Sequence, residues 1–205
     1  MLRLDAVEPS TLELLKRIQA LPEFSDTRLV GGTSLALQLG HRISVDLDLF
    51  GAWPAEAELL SALRRIGITR KSSGTPDGKM QFFYVDDIKV DCVTYDMFPW
   101  LEDCREEGGI RLAGVKDIAA MKINAITNRG TRKDFVDLAF LLRTYSLAEL
   151  FGWYEKKYPE ADPALAVRSL SYFVDAELQP MPRMLVPFDW DAEKSRIRSA
   201  VRSLF

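Results

Sequence analysis

Between residues 43 and 50 the chain reads ISVDLDLF, with apolar and polar residues alternating as far as Leu49. A period of two is the pattern of a strand with one buried face. Successive strand side chains point to opposite sides, so Val45, Leu47 and Leu49 are set toward a core while Asp46, Asp48 and Phe50 share the other side. The two carboxylates then stand about 6.5–7 Å apart at Cα. At that spacing they can jointly hold one hard cation, or bridge two cations about 3.5–4 Å apart, as two-metal phosphoryl-transfer sites do. With neither a cation nor a basic partner, two like charges on one face would repel.

The flanking sequence adds phosphate-binding character. RLVGG (28–32) reads as a short strand ending in glycines, and TSLALQLG (33–40) reads as a helix that starts on a Thr/Ser cap and closes at Gly40. A glycine-rich strand-to-helix turn presents backbone N–H groups to phosphate, which makes Gly31, Gly32, Thr33 and Ser34 candidate phosphate contacts. KMQFFYV (79–85) and IKVDCVTYD (88–96) form a predicted hairpin joined at Asp86-Asp87. Its second arm carries a third carboxylate, Asp91, with Lys89 and Val93 on the same face.

Elsewhere the periodicity is helical. PSTLELLKRIQALPEF predicts an amphipathic helix capped by Ser10 or Thr11, and AEAELLSALRRIG a second one ending at Gly67. Beyond Pro99 the segments VKDIAAMKINAITNR, RKDFVDLAFLLRTY, SLAELFGWYEKKY, PALAVRSLSYFVDAEL and DAEKSRIRSAVRSLF are all helical in pattern. The expectation is an α+β chain: an α/β half to about residue 100, then an all-helical half, with GGIRLAGVKD (108–117) as hinge. Trp153, Tyr154, Tyr158, Tyr172 and Phe173 are expected in the core of the helical half.

Composition excludes several classes. The 205 residues are 47% hydrophobic and 28% charged, with no apolar run of membrane-spanning length and no uninterrupted apolar stretch at the N-terminus. Cys92 and Cys104 lack metal-ligand spacing and His41 is the single histidine, so neither a disulfide framework nor a zinc site is expected, and the reading is a cytoplasmic protein. A net charge of −3 argues against non-specific coating of nucleic acid. Charge is uneven, however: residues 111–143 hold seven Lys or Arg against three Asp, and RRIGITRK (64–71) is basic without an acid. Lys122 sits in the apolar stretch 118–126, where a lysine must snorkel, pair or meet an anion. Asp134 and Asp137 stand three apart on the next predicted helix, within reach of Arg132, Lys133, Lys122 or Arg129.

Gly31-Gly32-Thr33, a short helix and VDLDLF together resemble the signature of the polymerase-β-like nucleotidyltransferase superfamily. The fuller pattern, GGTSLALQLGHRISVDLDLF followed by MKINAITNRGTRKDFVDLAFLL, resembles the AbiEii/AbiGii toxin branch of type IV toxin–antitoxin systems. The resemblance implies a mixed sheet with flanking helices in residues 1–107 and a helical domain, 108–205, completing the active-site cleft. It implies Mg²⁺ or Mn²⁺ on Asp46, Asp48 and Asp91, a nucleoside triphosphate as substrate, and Lys122 and Arg129 on the triphosphate. An aspartate of KDFVDL joins the active-site set, Asp134 being the choice here with Asp137 as its support. Thr33 follows Gly32 where serine is frequent in the family, so either Thr33 or Ser34 supplies the hydroxyl.

The expected activity is transfer of a nucleoside monophosphate to an acceptor hydroxyl, with tRNA as first choice of acceptor and a cognate antitoxin as partner. A small-molecule nucleotidyltransferase of the antibiotic-modifying kind would use the same paired aspartates on a cationic substrate. A catalytically silent binding partner is the third reading, against which the joint presence of Asp46, Asp48 and Lys122 argues.

Overall fold

Leu47 and Leu49 are fully buried, and the strand they belong to, β2 (Leu47–Gly51), lies at the middle of a mixed sheet. The computed structural model describes residues 1–52, 56–67, 70–75, 77–85 and 87–204. Among these the other strands are β1 (Thr27–Leu29), β3 (Arg70–Gly74), β4 (Met80–Val85), β5 (Ile88–Thr94), β6 (Arg105–Glu107) and β7 (Ile110–Leu112). Their order is β3-β4-β5-β2-β1-β7-β6. β2 pairs parallel with β5 and β1 parallel with β7, while the remaining neighbours are antiparallel.

The chain divides into two units: residues 1–98 with 103–113, and residues 99–102 with 114–205. In the first, α1 (Pro9–Gln19), α2 (Gly31–Leu39) and α3 (Glu56–Arg65) accompany the sheet. Leu14, Leu15 and Ile18 of α1 share one buried cluster with Leu29, Leu47, Leu49, Phe83, Val90 and Cys92 of the strands. At roughly 1.5–3 kcal/mol for each fully buried aliphatic or aromatic side chain, this cluster drives the sheet's formation. α1 begins at Pro9 rather than at a Ser10 or Thr11 cap, because proline at the first helical turn loses no hydrogen bond and presets φ. α2 closes as expected on Gly40, whose φ of +66° is the left-handed C-terminal cap.

The strand alternation holds from Leu47 onward and fails before it. Val45 is 53% exposed, and residues 43–46 lie outside the ladder apart from an isolated bridge between Val7 and Ser44. The hairpin of β4 and β5 forms in antiparallel register from Met80↔Val93 to Val85↔Ile88. At its turn Asp87 adopts φ +63°, while Asp86 lies outside the described residues. The basic run 64–71 also falls partly outside them. Two features were not foreseen: β3 at the sheet edge, and β6–β7, which place strands beyond residue 100. β6 and β7 have three residues each, which leaves periodicity nothing to count, and the five residues of β3, RKSSG, show no apolar alternation.

The second unit is helical: α4 (Val115–Asn128), α5 (Arg132–Leu141), α6 (Leu147–Lys157), α7 (Pro163–Ser169), α8 (Val174–Glu177) and α9 (Trp190–Arg202). Its helix starts follow sequence rules. Ser146 and Glu149 make a reciprocal capping box on α6, Asp162 accepts from Ala164 N before Pro163 on α7, and Asp189 accepts from Asp191 N and Ala192 N on α9. The segment 108–117, expected as a hinge, supplies β7 to one unit and the start of α4 to the other. No helix among the described residues is long and apolar enough to cross a membrane.

Candidate active site

β2 and β5 run side by side in parallel, with Asp48 opposite Asp91 and Leu49 opposite Cys92. Register partners share a face, so the two carboxylates stand together on one side while Leu47, Leu49, Val90 and Cys92 are buried on the other. Asp46 precedes β2 by one residue and, like Asp48, is half-buried. Burial also pushes the Cys92 thiol well above its ordinary pKa, with the Asp91 charge adding to it, so this cysteine is packing and not a nucleophile.

A lysine stands in this acidic group. Lys89 Nζ donates to Asp91 Oδ2 at 2.6 Å. Burial pulls the ammonium pKa down, but the hydrogen bond to Asp91 and the charges of Asp91, Asp48 and Asp46 outweigh it and hold the value above that of an ordinary lysine. The Lys89 ammonium thus bonds Asp91 and feels the charges of Asp48 and Asp46. Asp91 Oδ1 is buried and has no hydrogen-bond partner among the described residues.

Anionic oxygens with one acceptor left over suit Mg²⁺ or Mn²⁺. Among the described residues no three His, Cys, Asp or Glu side chains are gathered into a complete ion cage. The fit is to an ion that takes one or two carboxylates here and completes its shell with water and substrate phosphate, which is the habit of Mg²⁺.

Two glycines press backbone against this group. Gly31 opens α2 at φ +66°, and a Cβ there would lie 2.1 Å from Asp48 Oδ2. A Cβ on Gly32 would lie 2.1 Å from Arg42 Nη2. Arg42 is buried and donates from Nη1 to Ile43 O at 3.1 Å. Thr33 and Ser34 are not caps but lie inside the first turns of α2, both buried. The Thr33 hydroxyl reaches the Asp46 carbonyl and, at 2.8 Å, Ser44 Oγ. It thereby ties α2 to the segment that carries Asp46. Gln38 Nε2 donates to Ser34 Oγ at 3.3 Å.

The second group lies in the helical unit. Lys122 on α4, with a side chain only 5% exposed, places Nζ 2.8 Å from Asp134 Oδ1 and 2.7 Å from Asp137 Oδ2 on α5. Asp134 Oδ2 also meets Arg129 Nε at 3.2 Å and accepts from Thr131 Oγ1 at 2.5 Å. Burial raises the Asp134 pKa, but the charges of Lys122 and Arg129 and the hydrogen bonds from Lys122 and Thr131 outweigh that and leave it below the usual aspartate value. The i, i+3 spacing of Asp134 and Asp137 thus serves to grip one ammonium between two buried carboxylates. Thr131 escaped the sequence reading, although a threonine three residues before an acid at a helix start is a recognisable signal.

A further buried pair was also missed. Lys157 Nζ bonds Asp117 Oδ1 at 2.6 Å and Pro99 O at 2.8 Å, and Asp117 accepts from Leu101 N and Glu102 N. This pair clamps the segment 99–102 onto the helices. His41 and Cys92 are buried, and Tyr154, Tyr158 and Phe173 lie in the helical core as expected. Tyr172 does not: the residue is 54% exposed.

The family model described as nucleotidyl transferase AbiEii toxin, type IV TA system, matches residues 13–203. An uncharacterized protein of Aquifex aeolicus is 38% identical over 169 residues, covering 80% of this chain and 82% of its own length. Among solved structures, JHP933 from Helicobacter pylori superposes with a TM-score of 0.60 at 19% identity, over 97% of this chain and 93% of its own. MenT4, a nucleotidyltransferase toxin from Mycobacterium tuberculosis, does so with a TM-score of 0.56 at 17% identity, over 97% and 84%. Likeness at such identities is likeness of fold.

Proposed function

The chain belongs to the AbiEii nucleotidyl transferase toxin family, with the polymerase-β-like fold, and on that premise we propose that it transfers a nucleoside monophosphate from a triphosphate to an RNA hydroxyl. The observation that carries the reading is the register of Asp48 opposite Asp91, with Asp46 beside them and the Gly31 backbone against Asp48. An array of carboxylates on one sheet face next to a glycine-opened helix is the apparatus for positioning a metal-bound triphosphate.

In the proposed reaction the acceptor oxygen attacks the α-phosphorus, a new O–P bond forms, the α–β bridging bond breaks and pyrophosphate leaves. Asp91 takes the hydroxyl proton as Lys89 withdraws from it. Asp46 and Asp48 would hold Mg²⁺ or Mn²⁺, whose charge would offset that of the triphosphate and acidify the acceptor hydroxyl. Gly31 and Gly32 allow the backbone to approach the phosphates, and Thr33 fixes Asp46 through its carbonyl. Ser34, buried beside Gln38, supports the same turn. Within the helical unit, Asp134 and Asp137 hold Lys122, and Asp134 also holds Arg129.

The acceptor proposed is tRNA, and the biological setting is a growth-arresting toxin countered by a cognate antitoxin. The local excess of Lys and Arg in residues 111–143 supports an RNA acceptor, since phosphate contacts supply most non-specific affinity. The test is to incubate the protein with Mg²⁺, each α-labelled nucleoside triphosphate in turn, and total bacterial tRNA. Label moving onto RNA supports the reading. Triphosphate binding in Mg²⁺ with label reaching only small molecules or protein overturns the RNA acceptor and keeps the chemistry.

A further inference from the structure

We propose that a groove in the helical unit, between the end of α4 and the passage from α7 to α8, binds one nucleotide of a single-stranded RNA. The proposal deepens the reading of RNA as acceptor and rests on it for its role in the reaction. The groove holds about 190 Å³ and is lined by Asn128, Arg129, Ser169, Tyr172 and Asp175.

Each lining group answers one part of a ribonucleotide. Arg129 is anchored through Nε to the buried Asp134 while its side chain stays 60% exposed, so a guanidinium of fixed orientation is offered at the groove. A pre-oriented guanidinium is the donor best matched to a phosphate. Tyr172 presents a half-exposed ring on a fixed backbone. Its N–H donates to Ser169 O at 3.0 Å, and its neighbour Phe173 is buried against Phe135 with ring centroids 4.6 Å apart. A rigidly mounted, solvent-facing aromatic ring gives up apolar burial that its neighbours obtain, and offers a stacking face for a base.

Asp175, in the first turn of α8, makes no salt bridge among the described residues. A carboxylate repels phosphate but accepts from ribose hydroxyls, as in dinucleotide sites where an acid reads the 2′-hydroxyl. Phosphate, base and sugar each have a partner, and the acidic partner selects RNA over DNA. The shared use of Asp134 by Lys122 and Arg129 links this groove to the ion-pair group on α4 and α5.

The test is binding of a fluorescent RNA tetranucleotide, and of its deoxy counterpart, to the full chain by anisotropy. The variants are Tyr172→Ala, Tyr172→Phe and Asp175→Ala. The expectation is that Tyr172→Ala weakens RNA binding between about fivefold and about a hundredfold, the range for loss of one base stack, while Tyr172→Phe stays near wild type. Asp175→Ala should shrink the preference for RNA over DNA. Wild type that does not bind the oligonucleotide, or Tyr172→Ala that binds it as wild type does, overturns the proposal. Label transfer from triphosphate, run in parallel, reports on the RNA-acceptor reading separately: Tyr172-dependent binding without labelled RNA would keep the groove and sink that reading.

Discussion

Asp48 on β2 and Asp91 on β5 are register partners across a parallel strand pair, so two carboxylates stand at strand spacing, about 4.8 Å, on one face of the sheet. Asp91→Asn removes a charge from that face and keeps the side chain's shape. Nucleotidyl transfer should fall about 10²–10⁴-fold, as when a positioned general base is lost. Mn²⁺ affinity, read by paramagnetic resonance, should fall with it. Unaltered transfer would remove Asp91 from the reaction.

The Lys89 ammonium bonds Asp91 and feels Asp48 and Asp46, so a divalent cation held by these carboxylates would compete with it. Lys89→Met should therefore tighten Mn²⁺ binding several-fold in a calorimetric titration, while the metal-free protein loses stability through unscreened carboxylate repulsion. The pKa of Lys89 is raised in the fold. Its stabilising contribution is thus whole below the unfolded-state value of about 10.4 and is lost as pH rises through the higher folded-state value. Metal affinity unchanged in Lys89→Met would separate this lysine from the ion site.

Gly31→Ala combines backbone strain at φ +66°, about 1–2 kcal/mol, with a collision against Asp48 Oδ2. Activity should be lost out of proportion to stability, since the carboxylate must move while the fold remains. Parallel measurement of thermal midpoint and transfer rate checks this. A variant with the modest destabilisation and full activity would show that Asp48 has freedom the packing denies it.

Lys122 sits between two buried carboxylates, so Lys122→Met leaves Asp134 and Asp137 without their shared cation and should cost about 3–5 kcal/mol in denaturant unfolding. The Asp134 pKa is lowered in the fold. Its contribution is whole above the unfolded-state value of about 3.9 and is lost as pH falls through the lower folded-state value. Acid unfolding of the wild type should be steeper below about pH 4 than that of Lys122→Met. Equal acid profiles would contradict the ion-pair account.

The sequence drew attention to this face through the two aspartates of VDLDLF, of which only Asp48 lies on β2, where its neighbour on the sheet is Asp91, and through Gly31-Gly32 and Gly40, which bracket α2 with turn chemistry that has few alternatives. The helical half was legible in outline through its caps and periodicity. Three things were not. Thr33 looks like a cap but is drawn inward to the Asp46 carbonyl, since α2 starts two residues earlier at Gly31. The three-residue strands β6 and β7 carry no period. Tyr172, embedded in the apolar pattern LSYFV, reads as core, and only the turn between α7 and α8 sets it outward beside buried Phe173. Long-range ion pairs such as Lys157 with Asp117 depend on tertiary packing that spacing cannot supply.

The most direct measurement is label transfer from α-labelled triphosphate to tRNA by wild type and Asp46→Asn at matched Mg²⁺, with folding of both confirmed by thermal unfolding. The account predicts labelled RNA with wild type and at least about a hundredfold less with the variant. Equal labelling by the two proteins would contradict the claim that this carboxylate face performs the reaction.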